Sequence, residues 1–491
     1  MLGASDKPNM EGFVSLDELR QLLYQPGSFF LGNCHPDHGG SFPIGVKDDR
    51  HLFIVSGSRS GKGLTLIVNN LIDWPGGLVC IDPKGENAAI TAMRRGTAEA
   101  AKRTGTTVTD FVGQNVAVLD PLGCVQGPAR ALRVKYDPLS DIDIRSVRAT
   151  EQILSIAEAV VIADDGDGGH FTDGAAIILA GVIELVLVKD SPDTPTLRRC
   201  LELITSGFKT LKNELKQVKT PSGLAQDSYS LIEDAGDDEA GSFRTTLSRQ
   251  LRWMADPRMQ NHLQGDGFSL RKIIRENGSV YICIPPLMIP RMKRWLRCVV
   301  QIAMATKMEL GPSNKRQQML FMLDEFPALE NFKLIEDAAG YMAGYGIKLV
   351  PVIQNIGQIK KLYDKNWETF LSNAGAIVGW GFNDHETETY FSNRMGQRRS
   401  WEKSIGVTTQ PFLPIRRGAS KNWAWQDRPL RMPNEIHAQG AREEMRGFVI
   451  TAKGAPYTVQ RVAYGRAENE GKFDSEAAIA AWEANYRQRR K

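Results

Sequence analysis

Apolar residues in this chain fall into short unbroken runs that stop at a polar or turn residue, interrupted once by a long stretch with helical spacing. HLFIV, GGLVCIDP, NVAVLDPLG, SVYICIPP, QQMLFMLDEF, IKLVPVIQN and GAIVGW are too short for helices and too uniformly apolar for half-exposed strands. That pattern predicts buried strands of a mostly parallel sheet. HLFIV leads into a glycine-rich turn and then TLIVNNLI, the start of an α/β unit. Between Ser146 and about Arg271 no strand pattern is evident. SVRATEQILSIAEAVVIA and TPTLRRCLELITSGFKTLKNELKQ repeat at helical spacing, so an all-α insert is predicted inside an α/β chain.

Within that insert, Gly174–Val188 is apolar but carries Glu184 and falls short of the roughly 20 residues a membrane helix needs, so it reads as a core helix. ADDGDGGH and EDAGDDEAG read as solvated acidic connections. RRSWEKSIGVTTQPFLPIRRGASKNWAWQDRPLR looks irregular and basic. Its Trp401, Trp423 and Trp425, interleaved with basic residues, would suit phosphate contact and base stacking, although an ordered surface excursion is the plainer reading. The chain closes with DSEAAIAAWEANYRQRRK, a helix capped by Asp474 or Ser475 whose basic end complements its dipole.

Composition alters this picture little. At 491 residues and 42% apolar content the chain has room for two or three globular domains. Its excess of four basic residues is too small for a protein that coats nucleic acid, so any polyanion site must be local. Six scattered cysteines without a Cys-x-x-Cys fit a reducing compartment. CHPDH offers Cys34, His35 and His38, but no second ligand pair stands nearby, and no metal is assigned there. No basic-then-apolar leader opens the chain, which predicts a location inside the cell.

The chemistry concentrates in IVSGSRSGKGLTL, residues 54–66. A phosphate-binding loop needs glycines so that backbone N–H groups turn inward, then a lysine to reach the β and γ groups. Ser56, Gly57, Ser58, Arg59, Ser60, Gly61, Lys62, Gly63, Leu64 and Thr65 are therefore the candidate ATP loop. Ser56 stands where the usual pattern has its first glycine, and Gly63 where it has the hydroxyl that coordinates Mg²⁺. Thr65, or water held by a distant carboxylate, would have to replace that hydroxyl. MLFMLDEF supplies the acidic partner: Asp324 ends an apolar run, as expected of a metal-ordering carboxylate, and Glu325 is placed to polarise the attacking water. Gln354 ends the next strand-like run, where a polar residue can sense the γ-phosphate.

In that order these stretches resemble the coupling proteins of type IV secretion, TraG-type conjugative DNA-transfer ATPases of the FtsK/HerA-like motor group. SRSGKG with CIDPKGEN is similar to the family's phosphate loop and the turn after its next strand, and VLDPLG and YDPLS to the two following turns. HFTDGAAIILAGVIELVL is similar to the helix opening its all-α domain. LDEFPALENFKLIEDAAGYMAGYGIKLVPVIQNIGQIKKLY joins its acidic and glutamine motifs, and RPLRMPNEI resembles its closing strand region.

The resemblance implies a RecA-like P-loop NTPase fold with an inserted all-α domain. Its parts would be a lead-in over 1–50, a nucleotide-binding domain over 51–145 and 272–465, the insert over 146–271 and a C-terminal helix over 466–491. It implies that Lys62 binds the β and γ phosphates, Asp324 orders Mg²⁺, Glu325 activates water and Gln354 reports on the γ-phosphate. Many relatives carry glycine after the lysine, so Gly63 is a family trait, while Asp82 and Lys84 sit in a matching turn of less certain role. The position eleven residues before the glutamine, an arginine finger in some members, is Ala343, with Lys348 and Arg394 as substitutes. Implied partners are DNA, a single strand before duplex, a relaxosome or secretion-substrate protein on the all-α insert, and further copies in a ring, a hexamer by analogy.

Members usually begin with transmembrane helices, and only about thirty residues precede FFLGN here. The expectation is a cytoplasmic protein, or one held at the cytoplasmic membrane by a membrane-anchored secretion component. Two rivals remain: a soluble DNA translocase or helicase acting away from a secretion channel, and a nucleotide-dependent adaptor that recruits substrates. A P-loop kinase would not call for a helical domain of about 120 residues between the two motifs.

Overall fold

The computed structural model describes residues 10–162, 169–190, 196–312, 318–338, 340–408, 418–452 and 454–487. Thirteen strands occur among them: β1 (Phe29–Cys34), β2 (Pro43–Val46), β3 (His51–Ser56), β4 (Leu78–Asp82), β5 (Val116–Leu119), β6 (Ser279–Cys283), β7 (Met319–Asp324), β8 (Ile347–Ile353), β9 (Ala374–Trp380), β10 (Gln397–Thr408), β11 (Gly418–Pro429), β12 (Arg446–Thr451) and β13 (Tyr457–Gln460). All seven apolar runs singled out in the sequence are strands, β3 to β9.

Two compact units divide the chain. One comprises Met1–Asp48, Leu52–Leu66 and Ile353–Val462; the other comprises Asp49–His51, Ile67–Val352 and Ala463–Lys491. In the second unit the strand order is β8-β7-β4-β6-β5, and every neighbouring pair is parallel. β4, β6 and β8 are buried along their whole length, which is why they read as unbroken apolar runs. The pairing of Ile81 with Leu323 brings Asp82 and Asp324 side by side at the carboxyl ends of β4 and β7, the end at which open α/β sheets bind ligands.

In the first unit the order is β2-β1-β13-β12-β9-β3. β9, expected among the parallel strands, pairs antiparallel with β12. Full burial makes a strand apolar whichever way its neighbour runs, so the run alone carried no direction. The basic, tryptophan-rich stretch is not irregular: β10 and β11 form a twelve-pair antiparallel ribbon, with Trp401 opposite Trp425 and Lys403 opposite Trp423. Charged and small residues at alternate positions hid its period of two. Its connection, residues 409–417, lies outside the described residues.

Between β5 and β6 every named element among the described residues is helical. His170–Lys189 is the axis of this insertion. It is long and apolar enough to cross a membrane, yet 67% of its apolar window is buried inside the protein. Gly174 and Gly181 let neighbours approach closely: a Cβ would lie 2.3 Å from the Phe243 ring and 2.0 Å from Ser228 Oγ respectively. Glu184, buried in the same helix, accepts the Ala225 N–H at 2.8 Å and the hydroxyls of Thr220 and Ser222, so it caps the helix Leu224–Asp234. EDAGDDEAG is not a loop; it ends that helix and opens Asp237–Gln250, placing Asp237, Asp238 and Glu239 in a first turn where the dipole favours them. Most of the other acidic stretch, residues 163–168, lies outside the described residues. The closing helix Ser475–Arg487 is capped by Asp474, whose Oδ1 accepts the Ala477 N–H at 3.0 Å.

Candidate nucleotide site

β3 runs buried to Ser56 and gives way to a tight loop and then a helix. At Gly57 a Cβ would sit 2.0 Å from the Gly381 carbonyl oxygen, so only glycine fits. The chain then turns through two left-handed residues, Arg59 (φ 60°) and Gly61 (φ 89°). Ser58 and Arg59 are exposed, and Lys62 is half-buried. Ser56 fills its position with a use of its own: its Oγ lies 2.5 Å from Ser60 Oγ, clasping the two ends of the turn. The helix opens with a wide turn, Gly63–Ile67, before the regular α-helix Val68–Asp73. Thr65 Oγ1 donates to the Gly61 carbonyl at 3.0 Å. A Cβ at Gly63 would meet nothing within 4 Å.

The back of this loop is held from residues that sequence spacing did not point to. The Ser60 carbonyl accepts from Trp380 Nε1 at 3.2 Å and from Arg461 Nη1 at 2.8 Å. The Arg59 carbonyl accepts from Arg442 at 3.0 Å. These donors stand some 320 to 400 residues downstream, in ordinary strand and turn contexts, so no local pattern marked them.

The acidic residues belong to the second unit. Asp324 is the last residue of β7, and Glu325 follows with φ 77°, a left-handed backbone that a non-glycine residue adopts at some cost. Beside Asp324, Asp82 is fully buried, and its Oδ2 accepts the Ala88 N–H at 2.8 Å at the start of the helix Glu86–Arg95. Burial, with the Asp324 charge as a lesser cause, pushes Asp82 up to about 7. Burial also raises Glu86, Lys84 opposing and Asp324 adding to it. Asp82 is thus a capping residue held in the field of its neighbour. Asp120 in VLDPLG and Asp137 in YDPLS do the same work, accepting the N–H groups of Cys124 and Val125 and of Leu139 and Leu197.

Among the described residues no three His, Cys, Asp or Glu side chains form a metal cage. CHPDH is structural: His38 Nε2 lies 3.1 Å from Thr458 Oγ1, and burial lowers this histidine to about 4. Gln354 follows β8 directly in the first unit, its N–H donating to Gln358 Oε1 at 2.8 Å. Lys348 is buried in β8 and donates to the Arg50 carbonyl at 2.6 Å, which removes it as a group reaching another subunit. Arg394 is exposed in the last turn of His385–Met395.

A strand, a glycine-rich turn with its lysine and the start of a helix in the first unit, and parallel strands that end in carboxylates in the second, are the parts of a P-loop NTPase of the RecA-like α/β class. Residues 15–481 match the family described as Type IV secretory system Conjugative DNA transfer, and the chain belongs to it. The chain is 25% identical over 486 residues to a conjugal transfer protein TraG of Escherichia coli, covering 92% of this chain and 72% of that one. It is 26% identical over 450 residues to protein VirD4 of Agrobacterium fabrum, covering 89% of this chain but 62% of the relative's length. Among solved structures, the unbound bacterial conjugative coupling protein TrwBdeltaN70 superposes with a TM-score of 0.65 at 15% identity, over 91% of each chain. TrwB in complex with ADP and Mg²⁺ gives 0.64 at 15% identity, over 94% of this chain and 95% of that one.

Proposed function

We propose that this chain is an ATPase that drives DNA, a single strand before duplex, toward a type IV secretion or conjugation channel. The observation that carries the reading is the loop itself. Its Arg59 and Ser60 carbonyls are tied down by Arg442 and by Trp380 and Arg461, which favours turning the following backbone N–H groups the other way, toward a phosphate. In this reading Lys62 grips the β and γ phosphates, Asp324 orders Mg²⁺ with Thr65 as a further oxygen, Glu325 positions and deprotonates the attacking water, and Gln354 registers the γ-phosphate. An Mg²⁺ ion held by Asp324 and Thr65 would supply neutralisation of the negative charge on the phosphates. ATP and Mg²⁺ are the cofactors.

DNA contact falls to the β10–β11 ribbon. Its two strands carry five Lys or Arg against two acidic residues, three of the whole chain's excess of four. Trp425 is 64% exposed and in register with Trp401. Aromatic and basic residues in alternation suit base stacking with phosphate contact. The helical insertion, residues 146–271, is the substrate-recruiting domain, and its acidic helix starts favour a relaxosome or secreted protein over DNA. Copies of the chain assemble as a ring, a hexamer, with Arg394 as the candidate finger. The work is done in the cytoplasm or at the membrane through an anchored secretion component.

Steady-state ATP hydrolysis with single-stranded DNA, duplex DNA and no DNA tests this. DNA should stimulate turnover, Lys62→Ala should abolish it, and Glu325→Gln should lower kcat by about 10²- to 10⁴-fold while nucleotide still binds. Turnover that survives Lys62→Ala would overturn the site. Nucleotide binding without DNA-dependent turnover would replace the motor with the substrate-recruiting adaptor.

A further inference from the structure

We infer that Arg461 is a positioning residue for the nucleotide phosphates: it locks the Ser60–Gly61 peptide and sets a buried positive charge behind the loop. The inference rests on the nucleotide-binding reading above and adds to it a residue outside every loop motif.

Arg461 follows β13 and is buried. Its guanidinium spends its donors on carbonyl oxygens: Ser60 at 2.8 Å, Arg442 at 3.1 Å, Arg446 at 3.2 Å and Ala441 at 3.3 Å. It lies over the Trp380 ring, 5.1 Å from the centroid, and Trp380 Nε1 donates to the same Ser60 oxygen. A peptide group is planar and trans, so its C=O and the following N–H point in opposite directions. Pinning the Ser60 carbonyl toward Arg461 therefore turns the Gly61 N–H the other way, to the side a phosphate would occupy.

Gly61 is the thin wall between the two. A Cβ there would stand 3.7 Å from Arg461 Nη1. Among the described residues no carboxylate forms an ion pair with Arg461. Glu443 acts on it only at longer range, and burial lowers the guanidinium to about 10. A buried cation surrounded by neutral carbonyls is costly until a counter-charge arrives, and a polyphosphate is that counter-charge. Arg95 is the contrasting case. It also ties up carbonyls, those of Leu71, Trp74 and Gly76, but these precede β4, at the end of the strand away from ligands.

The test uses the full chain, with Mg-ADP and a fluorescent non-hydrolysable ATP analogue as probes. Arg461→Lys keeps the charge and loses the fork, so affinity should fall about tenfold, the worth of one charge-assisted hydrogen bond. KM for ATP should rise by a similar factor while kcat stays within about twofold of the wild type's, and thermal unfolding without nucleotide should move little. Trp380→Phe keeps the ring and removes the second donor to Ser60, so it should weaken binding about threefold. Wild-type affinity in Arg461→Lys, or a fall in kcat at unchanged KM, overturns the inference. Should Arg461→Lys not fold, unaltered affinity in Trp380→Phe overturns it. A wild-type chain that binds neither probe fails the nucleotide reading itself, a result distinct from selective loss in the variants.

Discussion

At Gly57 and Gly63 the same residue type does opposite things, and substitution separates them. Gly57→Ala would force a methyl group to 2.0 Å from the Gly381 carbonyl oxygen, which must displace the loop. ATP binding should be lost, with a stability cost of about 1–3 kcal/mol from overpacking. Gly63→Ser adds atoms where nothing stands within 4 Å and restores the hydroxyl of the usual loop. It should fold as the wild type does and bind Mg-ATP at least as tightly. Nucleotide titration of the pair decides, and a Gly63→Ser chain unable to bind would mean that the open space is needed for something else. Lys62 and Asp324 could be named as candidates because each sits at a fixed offset from a short apolar run. Arg461 and Trp380 could not, since their role comes from the fold returning to Ser60 after hundreds of residues. Nor did anything in DEF foretell the left-handed backbone of Glu325, because propensity assigns that conformation to glycine or asparagine.

At the scale of elements, the apolar runs marked every strand of the second unit, whereas β10 and β11 escaped because neither face of the ribbon is uniformly apolar. The buried acidic residues share one structural use. Asp82, Asp120, Asp137, Glu184 and Asp474 are largely buried, and each accepts backbone N–H groups at the start of a helix or turn. A carboxylate after a strand or inside an apolar run is therefore as much a joint between elements as a sign of chemistry in this fold. Glu184 gives the clearest prediction. Glu184→Ala strips the cap from Ala225 and leaves Thr220 and Ser222 without their acceptor, which should cost the insertion about 1–3 kcal/mol. Glu184→Gln, which keeps one acceptor oxygen, should cost less. Urea unfolding with ATP turnover as a second readout checks both, and an unchanged midpoint for the alanine variant would show that the joint is not needed.

Across the molecule, buried titratable groups of opposite kinds set how stability depends on pH. Burial raises Asp137 to about 7 against the N–H groups of Leu139 and Leu197, and burial lowers His262, packed on the Trp295 ring, to about 4. From about pH 4 to 6.5 the folded chain keeps the Asp137 proton that an unfolded chain releases, so this group lowers stability as pH rises. Over the same window the unfolded chain holds a proton on His262 that the folded chain refuses, so that group raises stability with pH. Asp82 and His38, at about 7 and about 4, add a second opposed pair. Each contributes at most about 1.4 kcal/mol per pH unit, and because the signs cancel, wild-type stability should change little across the window. Asp137→Asn removes one falling contribution and should make stability climb with pH, whereas His262→Gln should make it decline. Urea midpoints for the three chains at intervals from pH 4 to 6.5 measure this directly. An Asp137→Asn slope equal to the wild type's would mean that this carboxyl is ionised in the fold, its backbone donors outweighing burial.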